Sequence, residues 1–299
     1  MRMRTYFERL KGGRLAPRAE TTIVSDAGAT LLLDGGEGIG QVVAERAMRL
    51  TIERAKLHGI ACVGVRRSNH LGALAYYSTM AIADDLIGFA ASGTAPTVAP
   101  WGGLTRLLSN SPWSIAFPAG EEPPIVVDMD STAMNVWKVR DLAARGETLP
   151  PGVALNDAGE PTDDPVAALK GLILPAGRHK GYGIAVAMEV LTSVLTGALY
   201  STSVPGSRDS TRPQGVGHLM LAIKVDQFIP IGEFKARVDD YVRRLRSSQT
   251  APGVERIFVP GERSALLAAE RRVSGIPLRG DTLGILRGVA EELSIAPPC

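Results

Sequence analysis

Cysteine is nearly missing from this 299-residue chain: Cys62 sits inside an apolar run and Cys299 is the last residue. Two such thiols build neither a disulfide framework nor a thiolate metal site, and a reducing compartment, the cytoplasm, is expected. The histidines His58, His70, His179 and His218 stand singly, with no second histidine or cysteine at ligand spacing, so no metal is expected. An excess of one charge is also lacking, because 33 Lys and Arg face 31 Asp and Glu and the arginines are scattered. Nucleic acid is therefore not expected as a partner. Met1 to Arg4 carries no apolar signal-peptide core. The longest apolar segment, Gly181 to Tyr200, contains Glu189, Thr192, Ser193 and Thr196, which predicts a buried helix and no membrane span. The common nucleotide signatures are absent too. Gly35-Gly36-Glu37-Gly38-Ile39-Gly40 misses G-x-G-x-x-G because Gln41 stands third after Gly38, and neither a P-loop nor a G-x-S-x-G elbow occurs.

What is present is a globular composition, 45% hydrophobic, long enough for one large domain or two modest ones. Residues 2–10 predict a helix with Tyr6, Phe7 and Leu10 on one side, stopped by Gly12-Gly13. Ala29 to Asp34 predicts a strand, residues 35–40 a turn, and Gln41 to His58 an amphipathic helix carrying Val42, Val43, Ala47, Leu50 and Ala55. A buried strand over 59–65 and a helix over 73–86 follow. Further strands are predicted at 87–92, 113–117, 125–129 and 219–225, and closing helices at 233–247 and 261–273. Residues 93–103 and 118–124 are loops, 146–165 is turn-rich, and 201–217 has the composition of a mobile surface loop.

Three stretches carry candidate chemistry. Arg66-Arg67-Ser68-Asn69-His70-Leu71-Gly72 places a histidine where an apolar strand gives way to a helix, with Asn69 or Ser68 as the expected N-cap. A pKa of about 6.5 suits His70 to proton transfer near neutrality. A hydrogen-bonded structural histidine would look the same. Pro175 to Gly183 holds Lys180 and Gly181 at the start of the long apolar helix, either an anion site at a helix N-terminus or a solvated basic turn. Val259-Pro260-Gly261-Glu262-Arg263, taken alone, is a capped surface turn.

In order along the chain, these pieces resemble the malate/L-lactate dehydrogenase family, NAD(P)-dependent oxidoreductases outside the Rossmann group that include ureidoglycolate, sulfolactate and diketogulonate enzymes and cyclic-imine reductases. The landmarks are Asp34-Gly35 to Gly40-Gln41-Val42-Val43-Ala44, Ser68 to Gly72, Pro100-Trp101-Gly102-Gly103, Asp128-Met129, Gly159 to Pro165, Lys180-Gly181-Tyr182-Gly183, Pro260-Gly261-Glu262 and Gly275-Ile276-Pro277-Leu278. The resemblance implies an α/β (α+β) fold with a mixed, largely antiparallel sheet flanked by helices. It implies a substrate and dimerisation lobe from residues 1–58 and 229–299 around an NAD(P)-binding lobe at 59–228, in a homodimer with its active site at the interface. It makes His70 the catalytic proton acceptor, with Lys138 as a second catalytic position. Arg2 and Tyr6 become substrate-binding residues, Arg2 through a fork on the substrate carboxylate. Thr94, Asp128, Met129, Asp130, Lys180, Gly181, Gly261 and Glu262 become contacts to NAD or NADP.

The expected reaction interconverts a small 2-hydroxy acid and its 2-oxo acid. Three departures qualify that expectation. The family's Ser-His-Gly motif would fall just before Met1, so either the start codon lies further upstream or the protein is a catalytically impaired cofactor binder. Ser109-Asn110-Ser111-Pro112 replaces the usual Gly-Thr-Asn-Pro. Lys138 resembles the hydroxy-acid enzymes, where cyclic-imine reductases have aspartate, yet His179-Lys180-Gly181 and Glu189 resemble the imine reductases, which leaves a cyclic-imine (Δ1-piperideine or pyrroline 2-carboxylate) reductase as the alternative.

Overall fold

A computed structural model describes residues 3–206, 209 and 211–297 of the chain. Arg2 lies outside the described residues. The chain opens with α1 (Met3–Lys11), then β1 (Thr22–Asp26), β2 (Thr30–Asp34), α2 (Gly40–His58), β3 (Ile60–Ser68), α3 (Leu74–Met80) and β4 (Leu86–Ser92). It continues through β5 (Trp113–Phe117), β6 (Ile125–Met129), α4 (Val136–Arg145), β7 (Ala154–Leu155), β8 (Pro161–Thr162), α5 (Pro165–Lys170) and β9 (Leu172–Ile173). It closes with α6 (His179–Glu189), β10 (Val216–Lys224), α7 (Ile231–Arg246), α8 (Glu262–Ser274) and α9 (Gly280–Leu293).

The main sheet has the order β1-β2-β3-β10-β4-β5-β6, and β2 with β3 is its one parallel pair. The mixed, largely antiparallel sheet is thus as expected. Its β2–β3 ladder runs across the expected division at residue 58. One face is covered by α2 and α3. Val43, Ala44, Ala47, Met48, Ile52 and Ala55 recur at helical spacing on α2 and meet Val63 and Val65 of β3 and Met220 of β10 in one core. Val42, expected on that buried face, is 63% exposed, because it falls one position outside the stripe.

A second, smaller core joins Val139 and Leu142 of α4 to Leu149, Val153, Ala154 and Ala168. It lies beside the three-stranded sheet β8-β7-β9. The turn-rich expectation for 146–165 misses this sheet because two-residue strands are too short to show alternation. β1 escapes for a related reason, since all five of its residues are exposed. The long apolar segment also departs from expectation. α6 ends at Glu189, a π-helical turn follows over Val190–Val194, and Val194 and Leu195 lie on the surface instead of in a core.

Candidate active site

β3 runs further than its apolar stretch, to Ser68, and the chain then turns through residues 69–73 before α3. The expected N-cap is not formed: Ala73 takes that position, with no side-chain cap. Asn69 is instead buried and spends its amide on the backbone. Its Nδ2 donates to the carbonyl oxygens of Glu37 at 3.0 Å and Gly38 at 2.9 Å. This ties the histidine loop to the 35–40 turn. The His70 N–H donates to Gln214 Oε1 at 3.0 Å, and the Tyr77 hydroxyl donates to the Leu71 carbonyl at 2.6 Å. Gly40, the first residue of α2, packs so closely beneath the loop that a methyl there would run into the carbonyl oxygens of Asn69 and His70.

The His70 ring is held from α1. Tyr6 Oη lies 2.6 Å from His70 Nδ1, and Gln41 Nε2 donates to Tyr6 Oη at 2.9 Å. Both ends of this contact are residues singled out in the sequence, Tyr6 as an expected substrate-binding residue. The structure places it against the histidine.

His70 borders a cavity of about 700 Å³ whose lining includes Thr94, Asp128, Met129 and Asp130. The fold brings these residues, far apart in sequence, to one cavity. Thr94 Oγ1 donates to Asn110 Oδ1 at 2.8 Å, and Asn110 Nδ2 donates to Asp130 Oδ2 at 3.0 Å. Asp130 also accepts the Thr132 N–H at 2.9 Å. Asp128 accepts the Ala75 N–H at 3.3 Å, at the start of α3. Its carboxyl is held above the usual carboxylate range by burial, which with the nearby Asp130 outweighs the Ala75 hydrogen bond.

The departure at 109–112 keeps Asn110 in the lining. Glu189, buried at the end of α6, accepts the N–H groups of Ser109 at 2.9 Å and Ser201 at 2.8 Å. Its carboxylate therefore ties together two loops. Sequence reasoning missed Arg106, Trp137, Arg140 and Gln214, which also line the cavity. Arg140 lies over the Trp137 ring, 4.8 Å from its centroid. Asn135 before α4 and Gly146 after it are the capping signals by which this wall could have been found.

Other expected positions are not in the lining. Lys138 is exposed on α4 and Lys180 is exposed on the first turn of α6. Gly181 is buried under the carbonyls of Ala176 and Ser131, where a side chain would not fit. Gly261, at φ +90°, packs on Val126 of β6. Glu262 is buried, accepts the Val259 N–H at 3.1 Å and pairs with Arg246 and Arg256. Burial opposes its ionisation, but the Val259 hydrogen bond and Arg246 hold it below the usual range. Among the described residues, no group of three or more His, Cys, Asp or Glu could hold a metal ion, and no helix is long and apolar enough to cross a membrane.

The model for the malate/L-lactate dehydrogenase family matches residues 1–287. The chain is 37% identical over 290 residues to the L-sulfolactate dehydrogenase of Methanothermobacter thermautotrophicus, covering 97% of this chain and 83% of that protein. The solved sulfolactate dehydrogenase of Methanocaldococcus jannaschii superposes with a TM-score of 0.93 at 35% identity, over 98% of this chain and 84% of that one. The malate dehydrogenase of Pyrococcus horikoshii OT3 gives 0.90 at 29% identity, over 99% and 83%.

Proposed function

The chain belongs to the malate/L-lactate dehydrogenase family, and on that premise we propose that it interconverts a small 2-hydroxy acid and its 2-oxo acid with NAD or NADP. The observation that carries this is the Tyr6–His70 pair at the edge of a cleft that also holds Thr94, Asn110, Asp128 and Asp130. The residues present fit a dinucleotide. Hydroxyl, amide and carboxylate groups suit ribose hydroxyls, Arg106 and Arg140 suit phosphates, and Leu71, Met129 and Trp137 offer apolar surface to a ring. When bound, the nicotinamide supplies the hydride acceptor for oxidation and the donor for reduction.

His70 takes the proton from the substrate hydroxyl. With Nδ1–H donating to Tyr6 Oη, Nε2 is the basic nitrogen; once protonated there, the imidazolium keeps its Nδ1–H bond to Tyr6 and returns the Nε2 proton in the reverse direction. Arg2 is proposed to grip the substrate carboxylate through its fork. Lys138 is proposed as a second catalytic position and Lys180 as a contact to the dinucleotide, both exposed and outside the lining of the cleft. Val190, Val194, Leu195, Leu199 and Tyr200, exposed beyond α6, support a homodimer through that face.

The test is turnover of L-malate, L-lactate, L-sulfolactate and ureidoglycolate with both cofactors, alongside Δ1-piperideine-2-carboxylate with the reduced forms. Activity on a 2-hydroxy acid is expected. Reduction of the imine alone would move the enzyme to the cyclic-imine reductases, and dinucleotide binding without turnover would make it a cofactor binder. His70→Asn is expected to keep dinucleotide binding and lower kcat by roughly 10² to 10⁴-fold, the contribution of a positioned proton acceptor. An unchanged kcat refutes the assignment of His70.

A further inference from the structure

His218 is a fully buried titratable group that the proposed chemistry does not use. It sits on β10, the strand between β3 and β4, opposite Val65 on one side and Ser92 on the other. Its Nε2 lies 2.9 Å from Ser68 Oγ and its Nδ1 lies 2.9 Å from Ser92 Oγ. Both serines are buried. Each stands two residues before a residue of the cleft: Ser68 before His70, Ser92 before Thr94. A register shift in the β3–β10 ladder between Val216 and His218 marks this place in the strand.

The hydrogens can be assigned by requiring each buried donor to have an acceptor. Ser92 Oγ also reaches the Gly93 carbonyl at 2.9 Å. If Ser92 donates there, it accepts from Nδ1–H, which leaves Nε2 as a bare acceptor for the Ser68 hydroxyl, and every hydrogen is used. In the opposite direction, Nε2–H donates to Ser68 Oγ and the Ser68 hydrogen finds no acceptor among the described residues. Burial first, and the neighbouring charge of His70 second, push the His218 pKa down to about 3, which keeps the ring neutral where the enzyme would work.

We propose that His218 is a positioning residue: a neutral, Nδ1-protonated imidazole that runs one directed hydrogen-bond chain from Ser68 through Ser92 to the Gly93 carbonyl and so fixes the spacing of the two loops that border the cleft. This rests on the reading of that cleft as the active site. The chain locks the strand end that carries His70 to the strand end that leads to Thr94. Its loss lowers kcat through the first and raises the dinucleotide KM through the second.

Nitrogen-15 NMR of the histidine-labelled full chain reads the tautomer directly. His218 should show protonated Nδ1 and unprotonated Nε2 from about pH 5 to 9, a range in which an ordinary histidine changes charge. The Nε2–H tautomer, or an imidazolium signal in that range, overturns the proposal. The kinetic arm compares His218→Phe with the triple replacement Ser68→Ala, His218→Phe, Ser92→Ala. The single change strands the Ser68 hydroxyl and leaves Ser92 Oγ without its imidazole donor, whereas the triple removes both partners and regains thermal stability. Positioning predicts that kcat/KM stays down by roughly 10 to 100-fold in the triple, the effect of a small misplacement of reacting groups. Recovery of parental kcat/KM together with stability would show a purely structural histidine. His218→Gln, which retains a donor and an acceptor, should recover part of the loss. If the phenylalanine variants do not fold, the single serine changes decide. Ser92→Ala, which strands a donor, should lose more stability and activity than Ser68→Ala, which only empties an acceptor, and the reverse ranking refutes the directed chain. An enzyme inactive on every 2-hydroxy acid defeats the functional reading alone, because the tautomer and the stability ranking are read without turnover.

Discussion

A hydroxyl can donate to an imidazole nitrogen or accept from it without ionising near neutrality, and Tyr6 offers His70 that choice. Tyr6→Phe should therefore lower kcat in both reaction directions by about tenfold, the scale of one hydrogen bond, while the dinucleotide dissociation constant from calorimetry stays put. A change confined to that constant would return Tyr6 to a binding role. His218 makes a different statement at this scale, one about stability. Its pKa is lowered from 6.5 to about 3 on folding, so the unfolded chain binds the extra proton between those values. The native state thus has this contribution in full above about pH 6.5 and loses it as the pH falls toward 3, with a slope approaching about 1.4 kcal/mol per pH unit. Urea titrations of parent and His218→Gln across that window should diverge in this way, and parallel profiles would refute it. His70 was legible in the sequence because an apolar strand, a polar junction and a helical period converge on it. His218 was not, since a single histidine in an apolar strand does not reveal which hydroxyls lie across the neighbouring strands.

At the scale of elements, the histidine loop is shaped less by its own residues than by what is pressed against it. α2 begins under the carbonyls of Asn69 and His70 with a glycine because nothing larger fits. Gly40→Ala should cost about 1 to 3 kcal/mol, the range for overpacking a close contact, and should reduce kcat as the loop shifts. Thermal denaturation and turnover measure the two effects, and unchanged values in both would mean the contact is slack. The sequence displayed α2, β3 and the strands from β4 to β6 through periodicity, with ends displaced by a few residues. It hid the wall of the cleft built from α4 and the small sheet. α4 carries capping signals at Asn135 and Gly146, but β7, β8 and β9 are two residues each and acquire meaning only as a sheet. The Lys180 turn is a case of the opposite kind. A lysine at a glycine-rich helix start is visible in the sequence, whereas the close packing of Gly181 under the carbonyls of Ser131 and Ala176 is not.

For the whole molecule, the apolar surface after α6 is the feature that a single copy leaves unexplained. Leu195 is 65% exposed beside Val194 and Tyr200. If this face joins two copies, sedimentation should give a dimer for the parent and a monomer for Leu195→Glu, since a buried unpaired carboxylate is strongly unfavourable at such a contact. A dimer that survives the change would place the interface elsewhere. The chain order of the main sheet has a consequence in time. β3 and β4 bring the two borders of the cleft, but the strand that joins them, β10, begins only at Val216. During synthesis both strands leave the ribosome long before their shared neighbour, and each carries an open edge of the kind through which chains aggregate. The cleft beside His70 is therefore among the last parts of the molecule to be assembled, and its formation waits on a long-range closure that slows folding.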